Sequence, residues 1–337
     1  MQLSYAQNLE DYHLDLMFAG QEDGTYVDVG AGHPVADNVS FWFYLKGWRG
    51  LVVEPQQRWA DLYRGVRPRD HVAACLAGRA DGRAAFHIVD KLHGFSTMRQ
   101  EHAAAVGAHG VGYATTELPV RTLAGLCAEA GLERIDFVKI DVEGAEADVL
   151  TGMDFVRYRP RVLVVEALAP QSLAQSWDAW EAPLLARGYR FAFFDRLNRF
   201  YVAEEAAELA GRLPPEPAPW DRVHHLWDCG RAPYRPDHPD HALARALLDG
   251  FFASLPLLDA AVLAGVIARG LGAGAATSWS STARTLIGTA ELPKPPAPAA
   301  DLMALLQSDA LRAALGRIAC TWDGGHLMED ASVSADA

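Results

Sequence analysis

Short apolar runs separated by turn residues recur through roughly the first 210 positions. They are Tyr26-Val27-Asp28-Val29, Gly50-Leu51-Val52-Val53-Glu54, residues 71–76 and 84–89, Ile135-Asp136-Phe137-Val138-Lys139-Ile140-Asp141 and Val162-Leu163-Val164-Val165-Glu166. Most are rich in Val and Ile and lack polar alternation, as strands buried on both faces of a parallel sheet do. Helical spacing is predicted between them, in the stretch running to Lys46 and over 59–64, 118–130, 144–150 and 177–187. Residues 84–89 read as a hairpin partner of 71–76. Residues 190–194 and 200–202 flank Asp195-Arg196-Leu197-Asn198 as a second antiparallel hairpin. The order βαβαβ, an insertion, then βαβαββ predicts an α/β, doubly wound, Rossmann-like sheet, mostly parallel with an antiparallel edge hairpin.

The pattern changes after Leu213-Pro214-Pro215-Glu216-Pro217-Ala218-Pro219-Trp220, a Pro-rich linker. Strand signals largely stop there. Residues 242–267 are rich in Ala and Leu at helical spacing, Lys294-Pro295-Pro296-Ala297-Pro298 interrupts, and 301–319 predicts another helix. The expected organisation is an α/β domain at 1–212, a linker at 213–220, a small helical domain at 221–327 and a disordered acidic tail at 328–337. Phe251, Phe252, Leu255, Leu257 and Leu258 fit either a self-contained helical core or a homodimer interface.

Composition narrows the class. Of 337 residues, 50% are hydrophobic and 22% charged, which suits two globular domains. The net charge of −13 and the absence of a basic stripe argue against nucleic acid as partner. Cys75, Cys127, Cys229 and Cys320 lie too far apart in sequence for a zinc motif or a disulfide framework and read as thiols of a reducing cytoplasm. Residues 1–15 do not read as a signal peptide, and 251–276, with Pro256, Asp259 and Arg269, falls short of a membrane span.

The first strand ends in Asp28-Val29-Gly30-Ala31-Gly32-His33, a turn that lets backbone approach a ligand closely. Glu54 ends the second strand, where a carboxylate can accept hydrogen bonds from both ribose hydroxyls of a nucleoside. A dinucleotide turn wants a third glycine, but position 35 is Val, and Asp28 suits a cationic amino acid better than a diphosphate. S-adenosylmethionine (AdoMet), with its ammonium and sulfonium, fits these charges. Asp141, Glu143 and Glu166 stand at the carboxyl ends of the fourth and fifth strands, facing the crevice where such folds bind ligands. Glu146 reads as a helix cap.

The stretches SYAQNLED at 4–11, VDVGAG at 27–32, GWRGLVVEP at 47–55, KIDVEGAE at 139–146 and VVE at 164–166 resemble, in order and spacing, the FkbM family of AdoMet-dependent methyltransferases over residues 3–203. The resemblance implies a class I methyltransferase fold and O-methylation of a hydroxyl on a sugar, glycan or natural product. It implies that the turn at 28–32, with Asp28, Gly30, Ala31 and Gly32, and Glu54 hold the cofactor; Gln7 and Asp141 are further candidates for cofactor contact. The sequence departs from relatives at His33, where Asn is frequent.

An alcohol nucleophile wants a base within hydrogen-bond reach. The candidates are His33, Asp141, Glu143 and Glu166. Carboxylates can hold Mg²⁺, but nothing in the sequence requires it and no metal ligand is assigned. Gly94-Phe95-Ser96-Thr97 is a turn that could instead cover a ligand. His224, His225, His238 and His241 read as solvated loop residues, since Pro239 breaks helical spacing, and Trp177 and Trp180 as core or cleft wall. Two rival readings stand beside the methyltransferase: an NAD-dependent oxidoreductase on the same fold, and a methyltransferase fold that binds without catalysis.

Overall fold

The computed structural model describes residues 3–89, 96–101, 104, 112–169, 174–215, 223–271, 307–309, 311, 312 and 315. The chain divides into two compact units, Met1–Leu226 and Trp227–Ala337. The first contains strands β1 (Leu3–Ser4), β2 (Thr25–Val29), β3 (Arg49–Val53), β4 (His71–Ala73), β5 (Leu76–Gly78), β6 (Gly82–Val89), β7 (Tyr113–Thr122), β8 (Phe137–Ile140), β9 (Val162–Glu166), β10 (Tyr189–Phe194), β11 (Asn198–Ala203) and β12 (His224–His225). Its helices include α1 (Glu10–Met17), α2 (Phe41–Leu45), α3 (Gln57–Val66), α4 (Leu123–Glu129), α5 (Glu146–Thr151) and α6 (Glu181–Leu185).

The central sheet has the order β10-β11-β9-β8-β2-β3-β4. It is parallel except for β11, which is antiparallel to both β9 and β10. The predicted hairpin is therefore at the edge, but the edge strand β10 runs with the parallel set and its neighbour runs against it. The alternation of side chains along each strand builds two cores. Val27, Val29, Leu51, Val53, Val138, Ile140, Leu163 and Val165 pack on one face with α4 and α5. Tyr26, Phe137, Val162, Val164, Phe200 and Val202 pack on the other with Leu14, Met17, Phe43 and Trp48. Both faces are buried, which is why these strands carry so little polar alternation.

Several elements differ from the expectation. Residues 71–76 form two strands: β4 extends the central sheet, while β5 joins β7 and β6 in a separate three-stranded sheet. The partner of β6 is therefore β7, paired from Gly82↔Val120 to Val89↔Tyr113. The helix expected over 118–130 begins only at Leu123. Long-range pairing with β6 up to Val120 and with β5 from Val120 to Thr122 holds 118–122 extended, and Thr122 Oγ1 accepts from Gly125 N at 3.2 Å to start the helix. The stretch before Lys46 is helical only at α2, because Pro34 and the side-chain bonds of Asn38 and Ser40 favour a loop. Residues 177–187 split into a short 3₁₀ turn and α6, where Pro183 lacks the N–H needed to continue an earlier helix. Trp180 is core and Trp177 packs beside it.

The described part of the second unit is helical. It contains α7 (His241–Ser254), a 3₁₀ turn at Leu255–Leu257 around Pro256, and α8 (Ala260–Leu271). Leu255, Ala260, Leu263, Leu311 and Leu315 form its small core. The expected linker lies outside the described residues beyond Pro215. So do the tail at 328–337, the break at 294–298, most of 301–319, Gly94, Phe95, the Cys229 side chain and Cys320. No helix among the described residues is long and apolar enough to cross a membrane.

Candidate functional site

Parallel strands place the ends of β2, β3, β8 and β9 along one edge of the sheet, and the chemistry gathers there. Gly30 has φ +75°, and a Cβ on it would stand 1.7 Å from the Asp141 carbonyl oxygen. Only glycine lets the turn after β2 close against the end of β8. Gly30→Ala is expected to destabilise the protein by about 4 kcal/mol or more, a Tm drop of roughly 8–16 °C. A Tm within 2 °C of wild type by differential scanning calorimetry would contradict this close approach. Gly32, at φ +61°, differs: a Cβ there would meet nothing within 4 Å. The turn therefore packs inward at Gly30 and opens outward at Gly32, with Ala31 buried between them.

Glu54 lies beside that opening and is 3% exposed. Its Oε2 accepts from Gly32 N at 2.9 Å and its Oε1 from Gln56 N at 2.7 Å. Burial nevertheless pushes its carboxyl up to about 7, the two N–H donors opposing the shift. Each oxygen retains acceptor capacity beyond these bonds. The turn and carboxylate fit an adenosine-bearing cofactor: open space at Gly32, next to a carboxylate able to take two hydroxyl donors.

The other expected cofactor residues are placed differently. Asp28 shares the face of Tyr26, so its carboxylate points behind the turn, where Ser40 Oγ donates to it at 2.6 Å. Arg67 is buried near it, donating to Ser40, Asn38 and the Tyr26 hydroxyl. Arg67 itself pairs with Asp70, and burial raises the Asp28 carboxyl above its ordinary value with Ser40, Arg67 and Lys139 opposing. Gln7 is exposed on the turn before α1. His33 Nδ1 accepts from Val35 N at 3.1 Å and Ala36 N at 3.0 Å. That nitrogen caps the loop after Pro34, and the lone pair a base would use is engaged. Burial lowers the His33 pKa.

Asp141, Glu143 and Glu166 converge, with one oxygen of each within 4.8 Å of the others. Burial, with Asp141 and Glu146 nearby, raises Glu143 to about 9. Burial and then the charges of Asp141 and Glu143 push Glu166 well above its ordinary range, Lys139 opposing. Glu143 has φ +53° and its carbonyl accepts from Thr97 Oγ1 at 2.8 Å, so the Ser96-Thr97 segment holds its backbone in place. Glu146 Oε1 accepts from Gly144 N at 2.9 Å and Val142 N at 3.3 Å, bracing the turn before α5, whose cap residue Ala145 makes no side-chain cap bond.

Beneath the trio lies a polar network. Lys139, 3% exposed, donates from Nζ to Asp141 Oδ2 at 3.0 Å and Asn198 Oδ1 at 2.9 Å. Asn198 Nδ2 donates to Glu10 Oε1 at 2.8 Å and Asp195 Oδ2 at 3.2 Å, and Asn8 Nδ2 donates to the Asp195 carbonyl at 2.8 Å. Burial raises both Glu10 and Asp195, the latter to about 7. Lys139 was recognisable as a charge inside the apolar run Phe137-Val138-Lys139-Ile140, where it must find partners. Asn198, Glu10, Asp195 and Thr97 carry no such mark.

The four histidines expected as solvated loop residues are placed otherwise: His238 is buried and His241 begins α7. His224 and His225 form β12, with His225 Nε2 2.8 Å from the Ala6 carbonyl, and His241 Nδ1 lies 2.8 Å from the Ala232 carbonyl. Among the described residues, the carboxylate trio is the group that could hold a metal.

Residues 28–191 match the family model described as the methyltransferase FkbM domain. No curated protein and no solved structure matches the chain. The match supports a methyltransferase on a class I-like α/β fold, and the family in general implies AdoMet.

Proposed function

We propose, from a chain whose residues 28–191 match the methyltransferase FkbM domain, that the protein is an AdoMet-dependent O-methyltransferase acting on a hydroxyl of a sugar, glycan or natural product. The observation that carries the cofactor assignment is Glu54, buried at the lip of the open glycine turn and hydrogen-bonded to Gly32 N. When bound, AdoMet supplies an electrophilic methyl group that an acceptor oxygen attacks in line with the departing sulfur. Residues 30–32 and Glu54 would seat the adenosine half. Asp141 would face both cofactor and acceptor, since its backbone abuts Gly30 and its side chain stands with Glu143 and Glu166.

The carboxylate trio is the better place for the acceptor hydroxyl than His33, whose Nδ1 is committed to two backbone donors. Holding the hydroxyl in line is worth a large share of the rate, and accepting its proton a further 10²–10⁴-fold as an order of magnitude. We assign the chemistry to residues 1–212. Buried thiols at Cys75 and Cys127 suit a cytoplasmic setting.

The test uses AdoMet with a ¹³C-labelled methyl group and a panel of sugars, glycans and natural-product alcohols, with matched amines. NMR should find the label in an O–CH₃ group. Label found only as N–CH₃ would overturn the hydroxyl assignment while leaving methyl transfer intact.

A further inference from the structure

Three carboxylates meet where β8 and β9 end. Asp141, Glu143 and Glu166 bring three carboxylates together with one ammonium, Lys139. Lys139 is already engaged by Asp141 Oδ2 and Asn198 Oδ1. Glu166 is 8% exposed, and among the described residues its carboxylate takes part in no hydrogen bond or ion pair. An unpartnered carboxylate this deeply buried, with an oxygen within 4.8 Å of two more, is costly unless something else binds it.

We propose that Asp141, Glu143 and Glu166 form a binding site for one hard divalent cation, of the Mg²⁺, Mn²⁺ or Ca²⁺ class. The donor set is all oxygen, which selects these ions over zinc or copper. Two oxygens on one ion at about 2.1–2.5 Å can stand at most about 4.2–5.0 Å apart. A spread of up to 4.8 Å needs modest closure before all three oxygens sit on one ion. Asp141 uses Oδ2 for Lys139 and keeps Oδ1 for a ligand. Glu143 is held in a left-handed backbone conformation, its carbonyl anchored by Thr97.

The site abuts Gly30, whose turn packs on the Asp141 carbonyl. A cation there would hold an acceptor hydroxyl and ease loss of its proton. That use rests on the methyltransferase reading, but binding of the ion does not.

The experiment is titration of EDTA-stripped, full-length protein with Mn²⁺, followed by electron paramagnetic resonance, without AdoMet. One site is expected, competed by Mg²⁺, with affinity weakened at least tenfold in both Glu166→Gln and Asp141→Asn. A rise in wild-type Tm with Mg²⁺, absent from whichever variant folds, gives the same answer if one substitution fails to fold. No saturable Mn²⁺ binding to the wild type, or binding that both variants retain, overturns the proposal. AdoMet titrated into the stripped protein is the separate readout: AdoMet binding without Mn²⁺ binding sinks the cation site alone, and Mn²⁺ binding without AdoMet binding sinks the methyltransferase reading alone.

Discussion

Glu54→Ala is expected to weaken AdoMet binding by about 10²- to 10⁴-fold, the loss of two charge-assisted hydrogen bonds at about 1.5–3 kcal/mol each. The carboxylate also orients Gly32 N, so the substitution disturbs the turn as well. A second signature separates binding from structure. In the ligand-free protein burial holds the Glu54 carboxyl up to about 7, above its ordinary 4.5. Its contribution to folding is therefore fully present below its ordinary value and is lost as pH rises through about 7. Hydroxyl donors favour the ionised form, so affinity for AdoMet should be greatest above pH 7 and fall as pH drops. The fall between pH 8 and 6 should reach up to about tenfold. Glu54→Gln should bind weakly with a flat pH profile. Isothermal calorimetry across that range checks both, and an unchanged affinity in Glu54→Ala would remove Glu54 from the cofactor site.

Lys139→Met should cost stability rather than affinity alone. It removes the cation shared by Asp141, Asn198 and, at longer range, Glu10 and Glu166, all in the interior at the strand ends. Breaking a buried ion pair from one side costs about 3–5 kcal/mol, because the partner is left without its counter-charge. For a unit of this size that is a Tm drop of roughly 6–20 °C at pH 7. Met keeps the length and the packing, so the drop isolates the charge. A Tm shift under 2 °C in calorimetry would mean that the network is not held together by Lys139.

What was legible in the sequence follows from what is local. Val162–Glu166 coincides with its predicted run because a strand buried on both faces is continuous apolar sequence. The Gly30 turn reads from the chain because a left-handed residue packed against backbone demands glycine. The strand β7 did not read, since its extended state is imposed by pairing with residues some thirty positions earlier, against a local spacing that also suits a helix. The surroundings of Asp28 were in principle legible: two-residue periodicity puts it on the Tyr26 face, away from the turn. His33 could be weighed as a base only until its Nδ1 was seen capping Val35 and Ala36. The Lys139 network could not be assembled beforehand. Asn198 reaches Lys139 across 59 positions and Glu10 across 188. Glu10 and Asn198 also lie outside the stretch that matches the FkbM domain.

The crevice at the ends of β2 and β3 is expected to bind AdoMet and not a dinucleotide. Calorimetric titration of the full-length protein with AdoMet, and separately with NAD⁺, tests it most directly. Saturable, one-to-one AdoMet binding in the micromolar range is expected, with no heat from NAD⁺. Saturable binding of NAD⁺ with no signal from AdoMet would contradict it and mark the chain as an oxidoreductase on the same fold.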